Sequence, residues 1–69
     1  LSDTLDEPLT NRELEVLRLM KKGLLSKEIA NTLKVSINTI NSHRQNILYK
    51  LRVDNSIEAV NCACRLGLF

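Results

Sequence analysis

The sequence has few of the residues that build strands, tight turns and covalent frameworks. Its 69 residues include two glycines, one proline and two aromatic residues, Tyr49 and Phe69. This composition disfavours a fold of short strands and turns and favours packed helices. No apolar run is long enough for a membrane span or for the apolar region of a signal peptide. We therefore expect one small all-α domain that has no membrane partner.

The two cysteines do not indicate a disulfide framework or a metal site. Cys62 and Cys64 are two residues apart, so on a helix their side chains point about 200° apart and can neither form a disulfide nor hold one metal ion. We interpret both as small buried or half-buried apolar side chains and expect a reducing, cytoplasmic location. The single histidine, with no glycine-rich loop and no carboxylate cluster, leaves no catalytic constellation. We expect neither an enzyme nor a cofactor.

Positive charge is concentrated in the middle of the chain. Residues 24–52 contain five basic side chains and one acid, whereas residues 1–10 contain three acids and no base. A basic region of this kind is the electrostatic requirement for a polyanionic partner. A solvated helix face would have a similar composition, so charge alone permits such a partner without identifying it.

Capping residues and apolar periodicity predict a four-helix bundle, with helices over about residues 11–22, 27–33, 37–52 and 56–66. Residues 1–9 are acidic and show no helical period, so we interpret them as a linker or an acidic tail that precedes a domain over residues 10–69. The predicted N-caps are Thr10, Ser26, Ser36 and Asn55, and the predicted glycine stops are Gly23 and Gly67.

The second and third predicted helices, joined by a three-residue turn, have the layout of a helix-turn-helix. This layout alone is a weak signal, but one face of the third helix strengthens it. An arc of about 100° on that helix has no aliphatic residue and no acid, and it contains three amides. Asparagine and glutamine can pair with adenine through two hydrogen bonds in the major groove. The residues of this arc are Asn38, Asn41, Ser42, Gln45, Tyr49 and Arg52.

Several short motifs extend the pattern over nearly the whole chain. They are Leu9-Thr10-x-Arg12-Glu13, Ser26-Lys27-Glu28-Ile29-Ala30, Val35-Ser36-x-x-Thr39-Ile40, Lys50-Leu51 and Glu58-Ala59-Val60. In residue type and spacing they resemble the LuxR-type (GerE-like) DNA-binding domain. The resemblance implies a four-helix bundle that contains a helix-turn-helix. It also implies sequence-specific binding of double-stranded DNA for transcription control, as the output domain of a larger signal-responsive regulator.

The resemblance also implies roles for individual residues. It assigns base contacts to Asn41, Ser42 and Gln45, and phosphate contacts to Lys27, Thr39, His43 and Lys50. The position of Thr39 in the first turn of the third helix supports its assignment, because free amides and the helix dipole attract phosphate there. His43 has the alternative of packing at the border of the core. The head group of Arg44, which lies beside the core, is expected to reach solvent or phosphate.

The sequence departs from the family pattern at position 41, where the family commonly has lysine and this chain has Asn41. We expect the loss of this cation to weaken sequence-independent affinity. We also expect a shift in base preference from guanine towards adenine.

The fourth predicted helix has a second apolar stripe, formed by Ile57, Cys64 and Leu68 with Asn61 at its edge. We predict a homodimer through this helix that places two recognition helices about one DNA turn apart. The alternatives are a modest exposed patch or contact with an upstream domain. By resemblance, the expected partners are double-stranded DNA, RNA polymerase, and an upstream receiver or ligand-binding domain.

Two other functions stay open at this point. A helical protein-interaction module would also expose one helix face, although aliphatic or aromatic anchors would be expected on it. A promoter-binding module like sigma region 4 shares the helix-turn-helix. The Gly67-Leu68 ending and the capped fourth helix favour the LuxR-type interpretation over the second alternative.

Overall fold

The computed structural model describes residues 8–68, which form four helices and no strand. The helices are α1 (Asn11–Lys21), α2 (Ser26–Leu33), α3 (Ile37–Leu51) and α4 (Ser56–Leu66). The predicted all-α architecture is confirmed, and each predicted boundary lies within one residue of the observed one. Residues 1–7, which make up most of the predicted linker, lie outside the described residues, as does Phe69.

Three of the four predicted N-caps make the expected hydrogen bond. Thr10 Oγ1 accepts from the amide of Glu13 at 3.1 Å, and Glu13 Oε1 accepts from the amide of Thr10 at 3.0 Å. These reciprocal bonds complete a capping box at the start of α1. The side chains of Ser36 and Asn55 likewise accept from amides three residues further on. Gly67 ends α4 in the left-handed conformation, with φ of +72°.

The start of α2 differs from the prediction, because the N-cap is Leu25 and not Ser26. Leu25 has no side-chain oxygen that could accept a hydrogen bond from the first turn. A side chain of that turn accepts from the cap residue instead: the amide of Leu25 donates to Glu28 Oε1 at 2.8 Å. Ser26 is the first helical residue, and its hydroxyl accepts a hydrogen bond from Arg44 on α3. The predicted cap was wrong, because the helix begins one residue earlier and the hydroxyl of Ser26 binds a residue distant in the sequence.

α2 and α3 end without the glycine that usually marks a left-handed C-cap. Lys34 and Arg52 take this position with φ of +58° and +57°. Because Arg52 has left-handed dihedrals, α3 ends at Leu51, one residue before the predicted end. Gly23, the predicted stop of α1, has φ of +90° and follows a C-cap at Lys22.

α3 is the central helix, and it packs against each of the other three. The side that faces them carries Ile40, Ile47 and Leu51, which are buried as the helical period predicts. Leu9, assigned from the sequence to the linker, is half-buried and packs against this core. Among residues 8–68, the buried apolar core consists of Val16, Leu17, Ile29, Ala30, Ile40, Ile47, Leu51, Ala59 and Ala63.

Candidate nucleic-acid interface

The polar arc of α3 lies on the surface, opposite the core. Asn41, Ser42 and Gln45, the three predicted base contacts, are all exposed and stand within two turns of one another. Tyr49 continues the same face one turn further and is 76% exposed. The surface therefore presents amide, hydroxyl and phenol groups on one helix face, which is the set of donors and acceptors that major-groove base edges require.

The N-terminus of α3 differs electrostatically from the other helix starts of the described chain. The first turns of α1, α2 and α4 each contain a glutamate, namely Glu13, Glu28 and Glu58, whereas the first turn of α3 contains no acid. No carboxylate of its own first turn therefore offsets the partial positive charge of that helix end. Exposed amides at such an end attract an anion, and in a DNA complex the anion would be a phosphate.

Two of the predicted phosphate contacts, Thr39 and Lys27, are exposed. Thr39 lies in the first turn of α3, where its amide donates to Ser36 Oγ at 3.1 Å and its hydroxyl lies 2.9 Å from the same oxygen. Lys27 is exposed in the first turn of α2. His43 is half-buried, as expected for a residue at the border of the core. Its alternative role as a packing residue therefore stays open.

Lys50, the fourth predicted phosphate contact, binds inside the protein. Its Nζ donates to Glu13 Oε1 at 2.8 Å and to the carbonyl of Pro8 at 3.4 Å, and its side chain is 14% exposed. Two of the three donors of this ammonium are therefore engaged within the protein. The sequence did not indicate this pairing, because 37 residues separate the two partners.

The environment of Glu13 favours its charged form. Burial by itself raises the pKa of the carboxyl group. The hydrogen bonds from Lys50 and from the amide and hydroxyl of Thr10, together with the attraction of the Lys50 charge, outweigh burial and hold the pKa of Glu13 below its ordinary value. The ion pair thus joins the start of α1 to the last turn of α3.

Arg44 is a second polar connection that sequence analysis missed. Its Nη1 donates to Ser26 Oγ on α2 and its Nη2 donates to Ser56 Oγ on α4. The expectation that its head group reaches solvent or phosphate is therefore wrong. The only signal in the sequence is the position of an arginine on the core side of α3, and this signal does not identify its partners.

The second apolar stripe of α4 is only partly free. Ile57 is 75% exposed, and Asn61 and Cys64 are exposed, whereas Leu68 is half-buried and packs against the core. Both cysteines are free, and Cys62 is half-buried as predicted. The expectation for Cys64 was wrong, because this side chain points away from the bundle.

Residues 8–68 contain neither a helix that could span a membrane nor a cluster of metal ligands. None of the helices there has the length and hydropathy of a membrane span. The same residues include no group of histidine, cysteine or carboxylate side chains that could hold a metal ion.

Comparison with known proteins identifies the domain type. Residues 7–63 match the family described as GerE, bacterial regulatory proteins of the luxR family. The chain is 48% identical over 63 residues to the uncharacterized response regulatory protein YgeK of Escherichia coli (strain K12), covering 91% of this chain and 43% of YgeK. It is also similar to two solved structures. For the transcription factor GerE, the TM-score is 0.82 at 36% identity over 86% of this chain and 88% of GerE.

The second solved structure is the response regulator ChrA of a heme-sensing two-component system. This chain and ChrA superpose with a TM-score of 0.89 at 32% sequence identity. The match covers 96% of this chain and 33% of ChrA. The chain thus spans less than half the length of YgeK and a third of ChrA. The matched family, the four-helix architecture and both solved structures agree. The chain belongs to the luxR family of bacterial regulatory proteins and has the helix-turn-helix fold of that family.

Proposed function

We propose that this domain binds double-stranded DNA sequence-specifically, with α3 in the major groove, and regulates transcription as part of a longer protein. The observation that carries the proposal is the combination of features on α3. This helix has an exposed face without aliphatic side chains and a positive end with no acid in its first turn. The first feature suits base edges, and the second suits the phosphates beside them.

In this proposal, three side chains identify the DNA sequence. Asn41 and Gln45 can each form two hydrogen bonds with adenine, and Ser42 can donate to or accept from either neighbouring base. Their exposure and their spacing of one helical turn allow all three to reach one stretch of groove. A good two-pronged contact contributes about 1–3 kcal/mol of discrimination against a wrong base.

A second set of groups fixes the helix on the duplex without identifying the sequence. We assign phosphate contacts to Thr39 at the positive end of α3 and to Lys27 on α2, with His43 at the edge of this surface. Lys50 has the least structural support in this set, because its ammonium is bound to Glu13. Phosphate contacts supply the salt-dependent part of affinity, at about 0.9 in the log–log slope for each phosphate neutralised.

We further propose that two copies pair through α4 on DNA. Ile57, Asn61 and Cys64 are exposed on one face of this helix, and Leu68 lies at its edge. So small an apolar face suits a weak twofold interface that forms when two half-sites hold the subunits together. Substitution Ile57→Asp should abolish cooperative binding to paired half-sites and leave binding to one half-site unchanged. Unchanged cooperativity would place the interface elsewhere.

The relatives that are named response regulators are longer than this chain, which supports an upstream receiver domain in the whole protein. We also propose that the protein has RNA polymerase as a partner and that it is located in the cytoplasm. Both follow from the role of a bacterial regulatory protein, which must reach the chromosome.

A protein-interaction module is the competing function, and one observation favours it. Tyr49 is an exposed aromatic residue on the candidate DNA face, and aromatic residues are frequent anchors in protein interfaces. Selection from a pool of randomised duplexes separates the two functions. We expect enrichment of short, adenine-containing half-sites by the parent protein. A pool that stays random after repeated selection would contradict DNA binding and favour a protein partner.

A further inference from the structure

Arg44 connects three helices through one side chain. It projects from the core side of α3 and donates to Ser26 on α2 and to Ser56 on α4, which are 18 and 12 residues away in the sequence. The guanidinium group is half-buried, and hydrogen bonds from a charged donor are strong in such surroundings. One planar group with two separate donor nitrogens therefore fixes the starts of α2 and α4 relative to the middle of α3.

This arrangement is unusual in electrostatic terms. Ser26 and Ser56 are the first residues of their helices, so a cation lies near two positive helix ends, where the helix dipole disfavours it. The first turns of both helices also contain a glutamate, Glu28 and Glu58. The guanidinium group thus lies where helix capping alone would favour an acceptor.

Each serine directly precedes a residue of a proposed interface. Ser26 is followed by Lys27, a proposed phosphate contact, and Ser56 is followed by Ile57 in the proposed dimer face. We propose that Arg44 is a positioning residue for DNA binding. Its bond to Ser26 sets the place of Lys27 relative to the recognition helix. Its bond to Ser56 sets the angle of α4, and thereby the distance between two recognition helices. This inference rests on the proposed function.

The two bonds predict two separable effects. Loss of the Ser26 bond should weaken binding to a single half-site and reduce the salt slope by about one, as expected when one phosphate contact is lost. Loss of the Ser56 bond should leave single half-sites unaffected and change binding to paired half-sites. The preference for one spacing should fall by about 5- to 10-fold, the lower end of typical couplings between distant sites.

The experiment compares Ser26→Ala, Ser56→Ala and Arg44→Met with the parent protein. Methionine keeps most of the apolar stem of Arg44 and removes both donors. Arg12→Met is the matched control, because Arg12 is an exposed arginine that pairs with Glu15, one turn away on the same helix, at 3.3 Å. Each protein is titrated with duplexes that carry one half-site, or two half-sites at a series of spacings, at several salt concentrations and well below its unfolding temperature.

We expect Ser26→Ala to affect only the single-site affinity and its salt slope, Ser56→Ala to affect only the spacing preference, and Arg44→Met to affect both. Adding either serine variant to Arg44→Met should have no further effect. If Arg44→Met does not fold, the test relies on the two serine variants, because each of them removes only one hydroxyl group.

Two results would overturn the positioning role while leaving DNA binding intact. One is an Arg44→Met protein with the salt slope and spacing preference of the parent. The other is an equal loss on every duplex at an unchanged salt slope, which indicates only a smaller folded fraction. A parent protein that binds no duplex at all would overturn the proposed function and this inference together.

Discussion

The ion pair between Glu13 and Lys50 gives the sharpest prediction about stability. The side chains of Glu13 and Lys50 are 4% and 14% exposed, so neither charge is well solvated. Substitution Lys50→Met would leave the Glu13 carboxylate buried with only its Thr10 contacts. Removal of one partner of a buried pair costs about 3–5 kcal/mol. Because Lys50 keeps some exposure, we expect about 3 kcal/mol.

This loss is large for a domain of 69 residues. Unfolding free energies of about 0.05–0.15 kcal/mol per residue give such a domain about 3–10 kcal/mol in total. At about 4–8 °C per kcal/mol for this size, the midpoint of thermal unfolding should fall by about 12–24 °C. The measurement is thermal and urea unfolding, followed by the helical circular dichroism signal at neutral pH.

Two further variants separate the charge effect from packing. Glu13→Gln/Lys50→Met removes both charges and keeps an oxygen at position 13 for the amide of Thr10, so it should be more stable than Lys50→Met alone. Arg12→Met, which breaks an exposed pair with Glu15, should cost no more than about 1 kcal/mol. The reasoning is refuted if Lys50→Met costs no more than Arg12→Met, or if the double variant is the least stable of the three.

The pH dependence follows from the direction of the pKa shift. The pKa of Glu13 is lowered in the folded protein, so its stabilisation is complete above the ordinary carboxyl pKa and is lost as pH falls through the lowered value. In Lys50→Met, burial without the ammonium should raise the pKa of Glu13 instead. The stability difference between parent and variant should therefore shrink in acid, and a difference that stays constant with pH would contradict the assignment.

Three other predictions concern the surface. Tyr49 is the single tyrosine in a chain without tryptophan, so its fluorescence reports on the candidate DNA face directly; duplex DNA should protect it from a soluble quencher, and unchanged quenching would place it outside the interface. Asn41→Lys should strengthen binding to all duplexes, increase the salt slope by about one and shift base preference towards guanine. If the salt slope and the base preference do not change, residue 41 does not contact the groove. Mild oxidation on a palindromic duplex should cross-link two copies through Cys64, so a Cys64→Ser protein should not cross-link whereas a Cys62→Ser protein should.

The sequence predicts those parts of the fold that depend on neighbours along the chain. The capping box of Thr10 and Glu13, the caps at Ser36 and Asn55 and the buried side of α3 all follow from spacings within one or two helical turns. These features need no knowledge of how the helices cross. The resemblance to a known family identified the domain type correctly from the same local motifs.

Two of the features that sequence analysis missed involve polar partners on different helices. Ser26 has the residue type of an N-cap, but Arg44 binds its hydroxyl. Lys50 has the residue type of a phosphate contact, but Glu13 binds its ammonium. In both cases the partner depends on the packing of α3 against another helix, and the period of one helix carries no information about that packing.

The central claim is that α3 lies in the major groove with Gln45 on the bases and Lys27 on a phosphate. The most direct test is to measure the base preference and salt slope of the parent, Gln45→Ala and Lys27→Met on one set of single-substitution duplexes. We predict that Gln45→Ala loses preference at one base position and keeps its salt slope. Lys27→Met should weaken every duplex about equally and lower the slope by about one. The account is contradicted if Lys27→Met changes base preference while Gln45→Ala leaves it intact.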